Sequence, residues 1–142
     1  MLLGEFVQRL DAKNRVTLPA RFRGDFARGV VVTKGFGDRC LYVWDREAWE
    51  RFADARLEAL SDPFNREGRR LSRFLYGGAS EGELDRQGRV MLPAPLIEHA
   101  QLDKEIVVVG VRDHLEIWDR ETWKRESDFE GVEDVAERLA QR

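Results

Sequence analysis

Cysteine and histidine, which most often build metal and nucleophilic centres, are scarce in this chain. Its 142 residues contain one cysteine, Cys40, and two histidines, His99 and His114. A single cysteine excludes an internal disulfide framework and a cluster of thiolate ligands. Neither histidine stands in a metal-ligand spacing such as His-Glu-x-x-His. We therefore expect no metal site, no cofactor and no catalytic residue.

Long apolar runs are also missing. No stretch approaches the ~20 apolar residues of a membrane span. The acid Glu5 follows Met1-Leu2-Leu3-Gly4 before the apolar core of a signal peptide could form. We expect a cytoplasmic protein that has no membrane partner.

Charge is abundant, but its two signs are unevenly distributed. Charged residues make up 36% of the chain, and the formal net charge is −3. Residues 1–74 contain 15 Lys and Arg against 11 Asp and Glu, whereas residues 75–142 contain 9 against 16. Within residues 9–23, five basic residues accompany one acid, Asp11. Because a nucleic acid responds to the local field rather than to whole-chain charge, the basic first half is compatible with a DNA partner.

The chain contains two copies of one unit. Residues 10–20 (LDAKNRVTLPA) and 84–94 (LDRQGRVMLPA) are identical at seven of eleven positions, at an offset of 74 residues. Residues 44–49 (WDREAW) match residues 118–123 (WDRETW) at the same offset. The β-branched stretches between these blocks are out of step by one residue. Since the register is recovered afterwards, compensating changes in loop length explain the slip better than chance similarity.

Each copy predicts the same order of elements. A strand leads to a tight loop, loop one (residues 11–15) or loop two (residues 85–89), in which Asn14 or Gly88 accepts the positive φ of a turn. A second strand returns, and a proline then begins a brief helix. A β-branched strand, a Gly/Asp loop and a last strand that ends in tryptophan complete the unit. The strands that flank the loops are predicted at residues 5–10, 16–18, 81–84 and 90–92.

Helices are predicted behind both Trp-Asp pairs. Asp45 and Asp119 are placed as N-caps, with a glutamate in each first turn, where the helix dipole favours acids. The helix after Asp45 is amphipathic, and its spacing of three and four residues predicts a buried face. The members of that face are Trp49, Phe52, Ala53, Leu57 and Leu60.

The repeat suggests how the chain is organised. We divide it into a first repeat (residues 1–60), a connecting helix (61–76) and a second repeat with a C-terminal helix (77–142). Units this short cannot each bury a core, so the two repeats should interlock about a pseudo-twofold axis into one barrel. The predicted fold is mixed β/α and mainly β, with peripheral helices.

The two Asp-x-x-x-Arg loops are the candidate site. In a purely structural interpretation, Asp11 and Asp85 accept backbone N–H groups of the turn, and each arginine pairs with its aspartate. In the other interpretation, the aspartates keep that role while Arg15 and Arg89, with Lys13, contact phosphates and base edges. Arginine matches guanine O6 and N7 with two hydrogen bonds. Both interpretations can hold together, because an arginine held by an aspartate is preorganised for a base.

The surroundings of the two loops differ in charge. Loop one contains Lys13 and is flanked by Arg9, Arg21 and Arg23, whereas loop two contains Arg86 but has Glu81 and Glu83 before it. Since phosphate attraction dominates affinity for DNA, we expect loop one to contribute more of it. Loop two should support the fold or bind DNA weakly. The candidate DNA-binding residues are Arg9, Lys13, Asn14, Arg15, Arg86 and Arg89, with Asp11 and Asp85 structuring the loops.

A second basic cluster lies between the repeats and consists of Arg66, Arg69, Arg70 and Arg73. We interpret it as a solvated helix face, or alternatively as a surface that packs against an acidic neighbouring subunit. The tryptophans occupy equivalent positions in both copies, so we interpret them as packing residues and not as platforms for stacked bases.

These motifs closely resemble the MraZ family, bacterial regulators that are linked to the division and cell-wall gene cluster and related to AbrB/MazE-like swapped-hairpin proteins. The resemblance rests on both loops, the opening Met-Leu-x-Gly, the Trp-Asp-Arg-Glu blocks and the arginine-rich middle helix. It implies a double AbrB-like barrel, binding to short direct repeats upstream of its own operon, and assembly into a ring. Asn14 stands where the family usually has glycine, which would alter local DNA contacts.

Three hypotheses about function follow. The first is a transcriptional regulator, associated with the nucleoid, that binds double-stranded DNA as a ring-shaped homo-oligomer, in which several weak contacts add up. The second is an interaction module, akin to an antitoxin, that binds a partner protein through acidic residues 126–137. The third is an enzyme, which a polar pocket around His99 or His114 would support.

Overall fold

Six of the eight strands form one antiparallel sheet in the computed structural model, which describes residues 1–142. The strands are β1 (Leu2–Arg9), β2 (Arg15–Thr17), β3 (Val30–Lys34), β4 (Leu41–Asp45), β5 (Ser80–Gly82), β6 (Arg89–Met91), β7 (Glu105–Arg112) and β8 (Leu115–Asp119). The α-helices are α1 (Arg46–Phe52), α2 (Arg66–Leu75), α3 (Ala94–Ala100), α4 (Arg120–Glu126) and α5 (Val132–Ala140). A 3-10 helix (Ala20–Phe26) follows β2, and a π-helical turn (Ala53–Leu57) continues α1. No helix has both the length and the apolar character needed to cross a membrane.

Strand pairing joins the two halves of the chain throughout. The order in the large sheet is β1-β7-β8-β4-β3-β5, and β2 pairs with β6 in a separate two-stranded ribbon. Strand β1 of the first half pairs along its length with β7 of the second half, and β5 of the second half pairs with β3 of the first. The fold is therefore mixed α/β and mainly sheet, with each half completing the sheet of the other.

The expected barrel does not close. Strands β1 and β5 are the two edge strands of the large sheet, and the ribbon is joined to the β1 edge only through the isolated bridge between Leu10 and Val16. Closing a barrel would require longer pairing by β2, β5 and β6, and each of these strands has only three residues. The structure is a sheet with a covering layer.

The main core lies between the inner face of the large sheet and the ribbon. Alternation along the strands selects its members: Val30 and Val32 of β3 point into the core, and Val31 points to the outer face with Trp44. The core contains 18 buried residues, nine from residues 1–60 and nine from residues 77–142. Neither half therefore has a core of its own.

Helices α1 and α4 cover the outer face of the sheet, whereas α3 and the 3-10 helix contribute buried side chains to the main core. Helix α1 packs against Trp44, and α4 lies beside β7 and β8. The predicted N-caps are confirmed, because Asp45 Oδ2 accepts the Ala48 N–H at 3.3 Å and Asp119 Oδ2 accepts the Glu121 N–H at 3.2 Å. The prediction that Leu60 is buried is wrong. Helical structure ends at Leu57, so Leu60 lies in the following turn and is 61% exposed.

The shared core predicts that a mutation in one half destabilises the whole chain. Leu18 is fully buried in that core. We expect Leu18→Ala to lower the free energy of unfolding by about 2–5 kcal/mol, through lost burial and a residual cavity. Urea denaturation should show one cooperative transition. Met91→Ala, at a position 63% exposed, is the control and should change stability by less than about 0.5 kcal/mol. Two separate transitions would contradict a common core.

Candidate nucleic-acid interface

Loop one is organised around the carboxylate of Asp11. Its Oδ1 accepts the backbone N–H groups of Lys13 and Arg15, both at 2.9 Å. Its Oδ2 accepts the Nε–H of Arg15 at 2.8 Å. The main chain closes the turn, because the Asp11 N–H donates to the Arg15 carbonyl at 3.0 Å and the Asn14 N–H donates to the Asp11 carbonyl at 3.0 Å. One carboxylate thus fixes both the loop and its arginine.

Loop two repeats this arrangement bond for bond. Oδ1 of Asp85 accepts the N–H groups of Gln87 and Arg89 at 3.0 and 2.8 Å, and Oδ2 accepts the Arg89 Nε–H at 2.6 Å. The two ion pairs are similarly exposed, with the arginine side chains 24% and 27% accessible. At the level of local geometry the two loops are equivalent.

The loops also hold each other. The Leu18 N–H donates to the Gly88 carbonyl at 2.9 Å, and the Leu92 N–H donates to the Asn14 carbonyl at 2.8 Å. Asn14 and Gly88 have φ values of 60° and 75°, the left-handed conformation that favours glycine and tolerates asparagine. Each loop therefore binds the strand that leaves the other loop, which brings the two loops side by side.

The ribbon directs both arginines to one surface. In β2 and β6, Val16 lies opposite Val90, and both are buried in the core. Alternation then places Arg15 and Arg89 on the opposite, solvent-facing side of the ribbon. They are diagonal neighbours across the pair, a relation that corresponds to a separation of about 7–8 Å. The pairing brings together two residues that are 74 positions apart in the sequence.

Each arginine keeps part of its guanidinium available. Each aspartate binds the guanidinium of its arginine only through the Nε–H. Neither Nη atom of Arg15 or Arg89 donates a hydrogen bond to another protein group. A guanidinium held at Nε is fixed in orientation, while its Nη groups keep hydrogens that no protein group accepts. Such an edge can donate two parallel hydrogen bonds to a planar acceptor pair, as in a guanine edge or a phosphate.

The electrostatics of both loops favour the charged carboxylate. The pKa of Asp11 lies below its ordinary value of 3.8, chiefly because the backbone N–H of Arg15 bonds the carboxylate. Burial opposes this shift of the pKa, and the Arg15 side chain and the Lys13 N–H strengthen it. The pKa of Asp85 is lowered in the same way, first of all by the backbone N–H of Arg89. Both ion pairs are therefore formed at neutral pH.

The other candidate residues lie around the ribbon and are exposed to solvent. Lys13, Asn14 and Arg86 are exposed, and Arg86 has no ion-pair partner. The Arg9 side chain is 71% exposed and lies 4.0 Å from a carboxylate oxygen of Glu105. All three cations remain open to solvent, so they are available to an anionic ligand.

Two basic residues near the loops could not be placed from the sequence. The Lys104 carbonyl accepts the Leu10 N–H at 2.9 Å, which positions Lys104 at the base of loop one. Arg23, which the sequence associates with loop one, instead lies against Gly88 of loop two and donates its Nε–H to the Leu18 carbonyl at 3.3 Å. Only the spatial exchange between repeats reveals these positions. The charge difference between the loops is therefore smaller than the sequence indicates.

The histidines and the cysteine lie apart from the loops. His99 belongs to α3 and packs against Phe74, with ring centroids 6.0 Å apart. His114 stacks on Trp44 at 4.4 Å, and its Nδ1 lies 2.7 Å from Asp113 Oδ1. It lines a groove of mainly hydrophobic residues and also a second, half-polar pocket with Arg51, Arg56 and Asp113. Cys40 is fully buried, and this burial raises the pKa of its thiol.

Comparison of the sequence with known proteins identifies the family. The family described as "MraZ protein, putative antitoxin-like" matches residues 1–71 and 75–142. This chain belongs to the MraZ family. Relatives named "Transcriptional regulator MraZ" include those of Thermoanaerobacter pseudethanolicus, 41% identical over 98% of this chain and 96% of the relative, and Heliobacterium modesticaldum, 42% identical with the same coverage. The relative from Moorella thermoacetica is 46% identical over 87% of this chain and 85% of its own. The MraZ resemblance predicted from the two loops is confirmed.

The lowered pKa values predict how the loops of this MraZ chain respond to acid. Because the folded-state pKa of Asp11 and Asp85 is below that of the unfolded chain, each carboxylate stabilises the fold above about pH 4. That contribution is lost as the pH falls through the lower, folded-state pKa. In an NMR titration followed at the carboxyl carbons, Asp11 and Asp85 should both have a pKa below the ordinary value of 3.8. The Arg15 Nε signal should shift over the same pH range as the Asp11 signal. Asp11→Asn should abolish the pH-dependent shift of the Arg15 Nε signal and leave that of Arg89. A pKa at or above 3.8 for either aspartate would contradict the described geometry.

Proposed function

We propose that this chain is a sequence-specific DNA-binding transcriptional regulator and not an enzyme, and that the solvent face of the β2–β6 ribbon reads the DNA. One observation carries the proposal. The two Asp-x-x-x-Arg loops place Arg15 and Arg89 side by side, each held at Nε by an aspartate and each with both Nη groups unpaired. The names of the relatives, which are called transcriptional regulators, support the same conclusion.

The dimensions of the ribbon suit the major groove. That groove is about 12 Å wide and admits a two-stranded β-ribbon. A separation of about 7–8 Å between the arginines corresponds to roughly two base-pair steps, given a rise of about 3.4 Å for each step. The free Nη edge of an arginine can bond O6 and N7 of a guanine. In this proposal Arg15 and Arg89 contact bases, and Asn14 lies at the tip of loop one, where its side chain adjusts local specificity.

Basic residues around the ribbon would contact phosphates. Arg9 and Lys13 have this role beside loop one, and Lys104 extends the same patch. Arg86 has it beside loop two, where Arg23 adds a second cation. Phosphate contacts position a protein on the duplex without reading its sequence. We propose that loop one contributes the larger part of this attraction and that loop two also touches the DNA.

The finer features of the family extend the proposal. We propose that the exchange of strands between repeats (residues 1–60 and 77–142, joined by 61–76) is the swapped-hairpin arrangement of AbrB/MazE-like proteins. The target would be direct repeats upstream of the protein's own division and cell-wall operon, with the protein located at the nucleoid. A ring of subunits would bind several repeats together, because tethering converts later contacts into intramolecular ones.

The proposed base contact predicts a specific loss of affinity. Arg15→Ala should weaken binding to the upstream DNA by about 1–3 kcal/mol, roughly ten- to a hundred-fold, with relaxed preference at one base pair. The fold should persist, as judged by circular dichroism. Arg125→Ala is the matched control, because it removes the same charge from α4 on the opposite side of the large sheet. If gel shifts gave Arg15→Ala the affinity of the unmodified protein, the role of Arg15 would be refuted.

The proposed phosphate contact predicts a different signature. Lys13→Ala should weaken binding to specific and unrelated DNA to a similar extent, since a phosphate contact carries no sequence information. It should also reduce the slope of log affinity against log salt concentration by about one. Binding isotherms at several salt concentrations measure both effects. An unchanged salt slope, or a loss confined to the specific site, would contradict this assignment of Lys13.

A further inference from the structure

The outer face of the sheet contains an apolar groove that no part of the chain fills. We call it the Trp44 groove; it lies between strands β3 and β4 and the layer formed by α1, the π-helical turn and α2. Nine of its thirteen lining residues are hydrophobic. The main ones are Trp44, Trp49, Phe52, Leu60, Leu71 and Leu75. Trp44 and Leu75 are buried in its floor, whereas Leu60 is 61% exposed at its rim. A concave apolar site of this kind is a candidate docking site for another molecule.

Helix α5 presents the complementary feature. All nine of its residues are exposed, so it packs on nothing within its own subunit. Its apolar residues recur at the spacing of one helical face: Val132, Val135, Ala136 and Leu139. Val135 and Leu139 are 40% and 57% exposed. A short helix with an unburied apolar face gains its stability from packing against a partner surface.

The two surfaces do not contact each other within one subunit, because every residue of α5 is exposed. Helix α4, which precedes α5, is tied to the β1 edge of the sheet, because the Trp123 Nε1–H donates to Glu5 at 3.0 Å. Phe129 packs on Trp123, so the chain leaves for α5 from that edge. Strands β3 and β4, which line the groove, are four and three strand spacings of about 4.8 Å from β1, and His114 lines its nearer side. The groove of a second molecule is the surface that this helix can fill.

Charge selects the groove as the partner of α5. The helix contains three acids and one arginine on its polar positions. The charged residues that line the groove are Lys34 and Arg56, with no acid among them. The adjoining α2 carries four arginines and one glutamate, whereas α1 and the π-helical turn together carry three arginines and three acids, so the groove side is basic on balance. The other exposed apolar patch, around Leu3 and Val7 of β1, lies beside Glu5 on the same face of the strand. Like charges would oppose docking of α5 there.

We propose that α5 of one subunit docks in the Trp44 groove of a second copy of this chain. Its apolar face covers the groove, and its acids face Lys34, Arg56 and the arginines of α2. The contact is heterologous, so it joins subunits head to tail and leads to a ring where the rotation closes. The inference rests on the proposed self-assembly and names the interface for it. The ribbon with Arg15 and Arg89 lies on the opposite side of the sheet and stays free for DNA.

Disulfide trapping between two different variants tests the contact directly. Protein carrying Val135→Cys is mixed with protein carrying Leu60→Cys, and the mixture is oxidised mildly. Cross-linked dimers are expected from the mixture and from neither variant alone. Only in the mixture can a thiol on the helix of one molecule meet a thiol in the groove of another. The native Cys40 is buried and does not compete.

The control for this trapping experiment uses a thiol at an equally open position away from the groove. Met91→Cys replaces Leu60→Cys, since Met91 and Leu60 are 63% and 61% exposed but Met91 lies on the ribbon. The Val135→Cys protein should cross-link to the Leu60→Cys protein and not to the Met91→Cys protein. Equal cross-linking to these two variants would overturn the proposal.

The mass of the assembly in solution tests the same contact without oxidation. A nine-residue helix buries less area than a standard interface, so the assembly should dissociate on dilution. The double variant Val135→Asp with Leu139→Asp should have a smaller mass by light scattering than the unmodified protein at equal concentration. Arg138→Asp is the control, because it makes the same change of net charge on the polar face and should keep the mass. An unchanged mass for the double variant would overturn the proposal.

These measurements separate this inference from the proposed function. The α5 double variant should bind DNA that contains a single site as the unmodified protein does, whereas Arg15→Ala should bind it more weakly and keep its mass. A monomeric unmodified protein that nevertheless binds the upstream DNA would overturn the interface alone. Stoichiometric capture of a different protein by α5, with no self-association, would also overturn it and would favour the partner expected of an antitoxin-like module.

Discussion

The bond between an aspartate and its own loop is the constraint on which the candidate site depends. Asp11 accepts two backbone N–H groups and one Nε–H, and Asp85 does the same in the other repeat. The carboxylate that shapes the turn also orients the guanidinium, so loop conformation and arginine presentation cannot vary independently. Because binding then requires little further ordering of these side chains, more of the interaction energy remains for the ligand. The structural interpretation of the motif and the proposed contact with DNA are therefore compatible with one geometry.

Strand exchange between the repeats turns two such loops into one surface. Each loop carbonyl at Asn14 or Gly88 binds the strand that leaves the other loop, and β2 pairs with β6. The same exchange places Lys104 beside loop one and Arg23 beside loop two. In the sequence, basic residues are concentrated around loop one. In the folded chain loop two also has a basic neighbour from the other repeat, Arg23, so the two loops differ less in charge, which supports the proposed role of both loops in contacting DNA.

Features set by local chemistry could be predicted from the sequence, and those set by long-range pairing could not. The repeated loops, the N-caps at Asp45 and Asp119 and the MraZ family follow from residue types at fixed spacing. The mixed, mainly β fold was predicted, but the open order of the large sheet was not, because strand lengths and edges depend on pairing that only the folded chain shows. Leu60 follows the helical period but lies beyond the end of the helix, since periodicity does not mark where a helix stops. The position of Arg23 depends on contacts between repeats.

The central claim is that the ribbon face, with Arg15 and Arg89 held at Nε, is the surface that contacts DNA. The most direct measurement is an NMR titration of the arginine side-chain signals with a duplex from the region upstream of the gene. The account predicts that the Nη signals of Arg15 and Arg89 shift and slow their exchange with water, while those of Arg125 on the other side of the sheet stay unchanged. Shifts confined to α4, α5 or the Trp44 groove, with Arg15 and Arg89 unaffected, would contradict it.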